Sequence, residues 1–393
     1  MRLPRQKLRN FLRGPIRNGY SPVCVEGPTS KKILGLGALT DNGLDLRQTK
    51  WVPDSDEQSN SYILQPGDFL VSRSNTLDKV GRAALYRGGL ENCSYPDLMM
   101  RFRIDESKLL PDYLEAVLQS TLARKHFMRA ACGTSGSMVK ITKQAVGSLE
   151  IPVPGIEEQK AIADLLSTWD EAIEKTEQLI QAKERRFQYL VRTLINDPHY
   201  PRCHIRDFTS ECTIRNRQAQ CERVLSVTNT NGFILPEEQF KRRVASSDLS
   251  NYKLVTRGQY AYNPSRINVG SIARLDEWDK GVLSPMYVVF ELDQTKVNSD
   301  FFLHWLSSHE ARQRIRNSAQ GSVRETVSFT DLGAIVFPLP NFTRQSQVAD
   351  VLNNARREID LLKKLADEYK TQKRGLMQKL LTGQWRVTQG EVA

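Results

Sequence analysis

The sequence predicts an α+β fold with pseudo-two-fold symmetry: two similar domains of mixed strands and short helices, separated by an antiparallel coiled coil of two long helices. Three observations predict it. The chain is written twice, both copies start a long helix behind a Pro-x-Pro segment, and both helices carry a seven-residue apolar pattern.

The repetition covers nearly all 393 residues, and it is the first thing to read because it fixes the architecture. KLRNFL at 7–12 is answered by HIRDFT at 204–209, and LTDNGLDL at 39–46 by TNTNGFIL at 228–235. In the latter, an Asn-Gly turn separates two strand-like runs. LQPGDFLVSRS at 64–74 resembles VTRGQYAYNPS at 255–265, VGRAAL at 80–85 resembles VGSIAR at 269–274, and PDYLEAVLQS at 111–120 resembles SDFFLHWLSS at 299–308. GSMVKIT at 136–142 corresponds to GSVRETV at 321–327. The offset drifts from 197 to 186, as loop insertions produce, and is constant once the helices begin. Pro152, Pro154, Gln159, Ala163, Asp164 and Leu166 return as Pro338, Pro340, Gln345, Ala349, Asp350 and Leu352.

The helical stretches have narrow apolar columns: Leu166, Ile173, Ile180, Phe187 and Leu194 with Trp169 in the first, and Leu352, Ile359 and Leu380 with Leu362, Tyr369 and Leu376 in the second. A two-column stripe at 3.5-residue spacing is the pattern of a coiled-coil seam, narrower than the face of a core helix. Lys183 and Lys373 interrupt it. The first helix leaves one domain for the other and the second must return, so the pair is expected to run antiparallel. About 38 residues would give a rod of roughly 57 Å. The plainer reading, two ordinary core-packing helices, does not account for the duplication.

No apolar run approaches the ~20 residues that span a bilayer. The N-terminal segment has six basic residues and no acidic one in its first 17. It lacks a signal-peptide apolar core, and the repeat begins inside it, so it reads as folded protein. Six widely spaced cysteines without a CxxC argue against a zinc ribbon or disulfide scaffold and fit a reducing cytoplasm. The formal charge of +11 favours a polyanionic partner.

Catalytic signatures are poor. There is no GxxxxGK[ST] loop for a nucleotide. NPSR at 263–266 lacks the second proline and stacking aromatic of an adenine methyltransferase motif. His304 and His309 lack the spacing and intervening Glu of a zinc protease and read as core or surface histidines. Glu158-Gln159-Lys160 and Glu368-Tyr369-Lys370 have no partner aspartate to hold a divalent cation, and solvated helix charge explains them.

IPVPGIEEQKAIADLL at 151–166, FPLPNFTRQSQVADVL at 337–352 and KRGLMQKLLTGQWRV at 373–387 resemble the conserved helical regions of the specificity subunit of a type I restriction–modification system. The resemblance implies target-recognition domain 1 at 1–154, a central conserved helix at 155–198, target-recognition domain 2 at 199–340, a C-terminal conserved helix at 341–385 and a tail at 386–393. It also implies a non-catalytic, cytoplasmic subunit that reads a bipartite DNA site. Two methyltransferase subunits and restriction/translocase subunits would join it. S-adenosylmethionine, and ATP with Mg, would be bound by those partners, with no cofactor or metal here. Two departures are local: the first helix ends VRTLINDP without the LLTG of the second, and VTRGQ replaces the Pro-Gly-Asp turn of domain one.

Double-stranded DNA requires Lys and Arg for phosphates and Asn, Gln, Ser or Thr at base edges. The loops at corresponding places supply Ser72, Arg73, Lys79 and Arg82, with Ser135, Ser137 and Lys140, in domain one. In domain two they supply Asn263, Ser265, Arg266 and Arg274, with Gln320, Ser322 and Arg324. Any one of these equally suits a solvated charge or a turn serine; the pairing of loops carries the expectation. Two other readings stay open: a specificity subunit whose methylase and nuclease partner is one fused chain, and a coiled-coil adaptor that binds proteins.

Overall fold

The computed structural model describes residues 3–41, 43–133, 138–218, 221–236, 248–319 and 326–387. They form two compact units, Met1–Thr176 with Leu365–Ala393, and Glu177–Lys364.

In the first unit a four-stranded antiparallel sheet runs in the order Arg17–Asn18, Met99–Phe102, Asp68–Ser72, Ala83–Tyr86. Two adjacent strands, DFLVS at the centre and AALY at the edge, lack polar alternation because both of their faces are covered. Phe69, Val71, Ala83 and Leu85 face the helix Pro111–Gln119 and the start of the long helix Ile156–Leu190. Leu70, Ala84 and Tyr86 face a second cluster with Leu34, Leu39 and Tyr95. The second unit repeats this with Thr209–Glu211, Val288–Leu292, Tyr260–Tyr262 and Ile272–Arg274. Tyr260, Tyr262 and Phe290 face Phe301, Phe302 and Trp305, while Ala261, Ala273 and Val289 face Val227, Phe233 and Leu283. Before each long helix a short strand pairs with the strand that opens the domain, Arg5–Lys7 with Glu150–Pro152 and Arg202–His204 with Val336–Pro338.

The turn that departs from Pro-Gly-Asp keeps its construction. Gly67 and Gly258 both adopt positive φ, +92° and +86°. Asp68 accepts the Gln65 N–H at 2.8 Å, and Gln259 accepts the Thr256 N–H at 3.0 Å. The difference lies in the next partner. Buried Asp68 pairs with Arg103 at 2.7 Å, whereas Gln259 donates to Glu291 at 3.2 Å. A charge pair has become an amide–carboxylate bond around one backbone shape.

The repeated Gln is the hinge between domain and helix. Gln159 and Gln345 are each 1% exposed. Oε1 of Gln159 accepts the Leu110 N–H at 2.9 Å, and its Nε2 donates to the carbonyls of Lys108 and Pro154 at 3.2 and 3.0 Å. Gln345 does the same with the Asn298 N–H and the Lys296 and Pro340 carbonyls, at 2.8, 3.1 and 2.8 Å. Only an amide both accepts and donates twice in this way. Asn341 caps the second helix through the Arg344 N–H at 2.8 Å. At the first helix Gly155 offers no side chain, and Glu157 and Glu158 place negative charge in the first turn.

Each unit contains a stretch of both long helices, Ile156–Leu190 and Phe342–Thr382. In the first unit Trp169 meets Tyr369 edge-on at 5.8 Å, Lys373 Nζ pairs with Asp170, and Arg386 grips Glu158 through two bonds of 2.6 and 2.7 Å. In the second, Lys183 pairs with Glu358 at 2.6 Å, Lys363 with Glu184 at 2.7 Å, and Arg356 lies 6.0 Å from the Phe187 ring. From Glu158 to Asp170 the partner moves back from Arg386 to Lys373, so the segments run antiparallel. At the offset that relates Gln159 to Gln345, the Asp170–Lys373 pair becomes Arg356–Phe187, and Glu158–Arg386 becomes Arg344–Tyr200, bonded at 3.1 Å. The positions repeat while the chemistry changes.

Among the apolar columns, Leu166, Ile173, Ile180, Phe187, Leu352, Ile359 and Leu380 are buried, and Trp169, Leu194, Leu362, Tyr369 and Leu376 are half-buried. Leu166, Leu376 and Leu380 also join the core of the first unit, and Phe187, Leu194, Leu352 and Ile359 that of the second. The stripe therefore serves domain packing as well as helix pairing. Lys183 and Lys373, which break the apolar columns, form ion pairs with the opposite helix. The second helix closes on Gly383, φ +73°, whose N–H reaches Leu380 O at 3.0 Å. Asp197 stands where that glycine would be, and the first helix widens into a π-helical turn at Val191–Ile195 instead.

Candidate nucleic-acid interface

The described parts of the two expected loops come together in the first unit, and in the second the segment that follows residues 320–325 meets the other loop. Ser74–Asn75 pairs with Val139–Lys140, and the Ile141 N–H donates to Arg73 O at 2.9 Å. In the second unit the Val327 N–H donates to Pro264 O at 3.1 Å, the corresponding contact. Each loop pair lies where the chain leaves an inner strand of the main sheet for its edge strand.

The first loop is tightly held. The Lys79 and Val80 amides both donate to Thr76 O at 2.9 Å, and Gly81 N–H donates to Ser72 O at 2.8 Å. Gly81 has φ +73°, and a Cβ there would lie 2.5 Å from Phe127. Arg124, on the helix Thr121–Ala130, donates to the carbonyls of Val80 and Asp78 from beneath, at 2.5 and 2.9 Å. Burial, with the Arg82 charge beside it, lowers its pKa from the ordinary guanidinium value. Sequence reading missed Arg124, since nothing along the chain links it to a loop 44 residues away. Substituting Arg124 by alanine should raise hydrogen exchange at the Lys79–Arg82 amides and make this loop the first site of proteolysis. Lysine should restore only part, because one amine cannot serve both carbonyls in the same fork geometry.

The other candidates divide. Lys79 and Lys140 are exposed in the first unit, and Ser265 and Arg266 in the second; Arg73 and Asn263 are half-buried. Arg73 donates to Asp97 O at 3.1 Å, and Asn263 accepts from Ser265 N–H and Oγ at 3.1 and 2.9 Å, which folds the turn. Three expected contacts are otherwise employed. Ser72 is buried inside its strand at 1% exposure and offers no surface to a groove. Arg82 pairs with Asp41 at 2.5 Å. Arg274 holds Asp276 at 2.6 Å and Asp300 at 2.7 Å with its side chain 16% exposed. Burial opposes its charge, but the bonds to Asp276 and Asp300 raise its pKa above the ordinary value. It is a scaffold arginine. Ser135, Ser137, Gln320, Ser322 and Arg324 lie outside the described residues. The structure adds exposed apolar side chains on or beside the same loops, Leu77 and Met138 in one unit and Val269 and Met286 in the other. Such groups suit a thymine methyl in the major groove.

Among the described residues no group of His, Cys, Asp and Glu is placed to hold a metal ion, and no helix is long and apolar enough to cross a membrane.

Residues 16–184 match the family described as Type I restriction modification DNA specificity domain. The chain is 23% identical over 401 residues to the putative type I restriction enzyme MjaX specificity subunit of Methanocaldococcus jannaschii, covering 95% of this chain and 91% of that one. It is 29% identical over 165 residues to the EcoKI specificity subunit of Escherichia coli K12, covering 41% of this chain and 35% of that protein. Among solved structures, the S subunit of a type I restriction–modification system from M. genitalium superposes with a TM-score of 0.57 at 14% identity, over 97% of this chain and 96% of that one. A chain from a study of type I R-M complex assembly and conformational transition gives 0.60 at 13% identity, over 98% and 100%. These two share the fold. With the duplicated α+β units and the repeated Gln contact, the comparisons make this chain similar along nearly its whole length to type I restriction–modification specificity subunits, with the DNA specificity domain itself matched at residues 16–184.

Proposed function

We propose that the chain reads a split, asymmetric DNA site, one half with each unit, and brings adenine methyltransferase and restriction subunits to it without chemistry of its own. The observation that carries this reading is the loop pair, built at the same place in both units but from different residues, VSRSNTLDKVGR against YNPSRINVGSIAR. Unlike readers on like scaffolds imply unlike half-sites. Lys79 and Lys140 in the first unit, and Arg266 in the second, would meet phosphates, while Arg73, Asn263 and Ser265 would contact base edges. By the same reading Ser135, Ser137, Gln320, Ser322 and Arg324 would also contact DNA. The long helices would set the unread gap and receive two methyltransferase subunits. S-adenosylmethionine, and ATP with Mg, would belong to those partners and to the restriction subunit.

Binding of duplex DNA by the full chain should weaken steeply with salt, because each neutralised phosphate releases counterions. Salt-independent or absent binding would count against the reading. In a host that carries the chain and its methyltransferase, methylome sequencing should give one split motif whose halves differ. Exchanging residues 1–154 for another domain should change one half only, and a palindromic motif would contradict the proposal.

A further inference from the structure

We infer that the first unit carries a second DNA-backbone site, in addition to its reading loop, in the groove between the strand Arg5–Lys7 and the helix Thr121–Ala130. This rests on the DNA reading proposed above. The groove has a volume of about 730 Å³ and a partly apolar floor that includes Leu122 and Leu149. Arg5, Lys7, Lys125 and Arg129 line it, all exposed, and none has an ion-pair partner among the described residues. The one carboxylate in the lining, Glu150, stands across from Lys7 in the strand pairing. Four cations against one carboxylate is an unspent charge.

The spacing of the cations selects the occupant. Arg5 and Lys7 lie on one side of an extended strand, about 6.6 Å apart along it. Lys125 and Arg129 lie one turn apart on one helix face, about 6 Å along the axis. Both rows match the axial rise of two nucleotides in one DNA strand, about 6.8 Å. The second unit has spent the same place differently. By the repeat, Arg202 stands for Arg5, Gln313 for Lys125, Arg314 for His126 and Asn317 for Arg129. There Glu310 binds both Arg202, at 3.1 Å, and Arg314, at 2.8 Å. The groove is cationic in one unit and neutralised in the other, so the added contact should fall on one flank of the site only.

Phosphate contacts hold a duplex without reading it. The Lys125→Gln/Arg129→Gln variant of the full chain, titrated with a duplex of its methylated motif and with an unrelated duplex, should lose affinity for both by the same factor. The slope of log affinity against log salt should become about 1.8 units shallower, 0.9 for each lost phosphate. The methylated motif should not change. The charge-keeping variant Lys125→Arg/Arg129→Lys should restore the slope, which separates charge from damage to the fold. An unchanged slope in the Gln variant would overturn the inference while leaving the DNA reading intact. So would a loss confined to the specific duplex. Unchanged DNA binding with weakened assembly onto the methyltransferase would assign the groove to an acidic protein surface and also overturn it. Should the unmodified chain itself show no salt-dependent duplex binding, the reading and the inference fall together.

Discussion

Replacing Gln159 or Gln345 by leucine should cost the affected unit about 3 kcal/mol, seen as a lower denaturant midpoint with little change elsewhere. Leucine matches the volume but strands three backbone groups at once: the N–H of Leu110 or Asn298, the carbonyl of Lys108 or Lys296, and that of Pro154 or Pro340. An unsatisfied buried group costs roughly 1–3 kcal/mol, and partial solvent access discounts the sum. Glutamate sharpens the test. Ionised, it still accepts the amide but faces two carbonyls it cannot donate to, so its folded-state pKa should rise above the unfolded one. A raised carboxyl pKa adds stability that is full at low pH and lost as pH rises through the folded value. The Gln→Glu variants should therefore be nearer wild type at pH 4 than at pH 8, while the Gln→Leu variants lose the same amount at both. Equal loss at both pH values in the Glu variants would show that the carbonyls are not the partners that matter.

The duplication was legible because it lives in backbone-determining residues. Pro152 and Pro154 end a strand, Gly67 and Gly258 make a left-handed turn, and Gln159 and Gln345 answer the same three backbone groups. These leave a mark in sequence wherever the fold recurs. The helix pairing was legible as direction and column, since connectivity forces the antiparallel run and apolar spacing shows the buried face. What could not be read was the identity of partners far apart along the chain. Asp170–Lys373 and Arg356–Phe187 occupy one position of the repeat, yet no alignment of the two copies reveals it, because an ion pair has been exchanged for a cation over a ring. The same holds for Glu158–Arg386 and Arg344–Tyr200.

The candidate site was legible as loops and less so as residues, and the reason is again non-local. Ser72 and Arg274 look like surface groups along the chain, but the strand that bears each is covered from outside its own segment. Ser72 lies in a strand buried along its full length, and Arg274 is drawn onto Asp300 from the helix Ser299–Ser307. Leu77, Val269 and Met286 were passed over because apolar residues in a loop are ordinarily assigned to the core.

Arg274 and Arg266 make the distinction between scaffold and contact measurable. Arg274→Ala should lower the stability of the second unit by about 2 kcal/mol, because it removes a mostly buried cation that two carboxylates and Ser299 were arranged to meet. Asp276 and Asp300 are themselves 53% and 37% exposed at the side chain, and their access to water keeps the cost below that of a fully buried pair. Arg266→Ala removes an exposed guanidinium and should leave the melting behaviour unchanged while reducing duplex affinity and the salt slope. Arg274→Met, which keeps the packing of the stem without the charge, should recover little, since Asp300 is then left with Asn353 as its remaining neutral partner. If Arg274→Ala instead melts like wild type and weakens DNA binding as Arg266→Ala does, the ion pairs are incidental and this arginine belongs to the reading surface after all. The two substitutions lie eight residues apart on one strand-to-strand connection and its following strand, so the contrast comes from what each side chain touches.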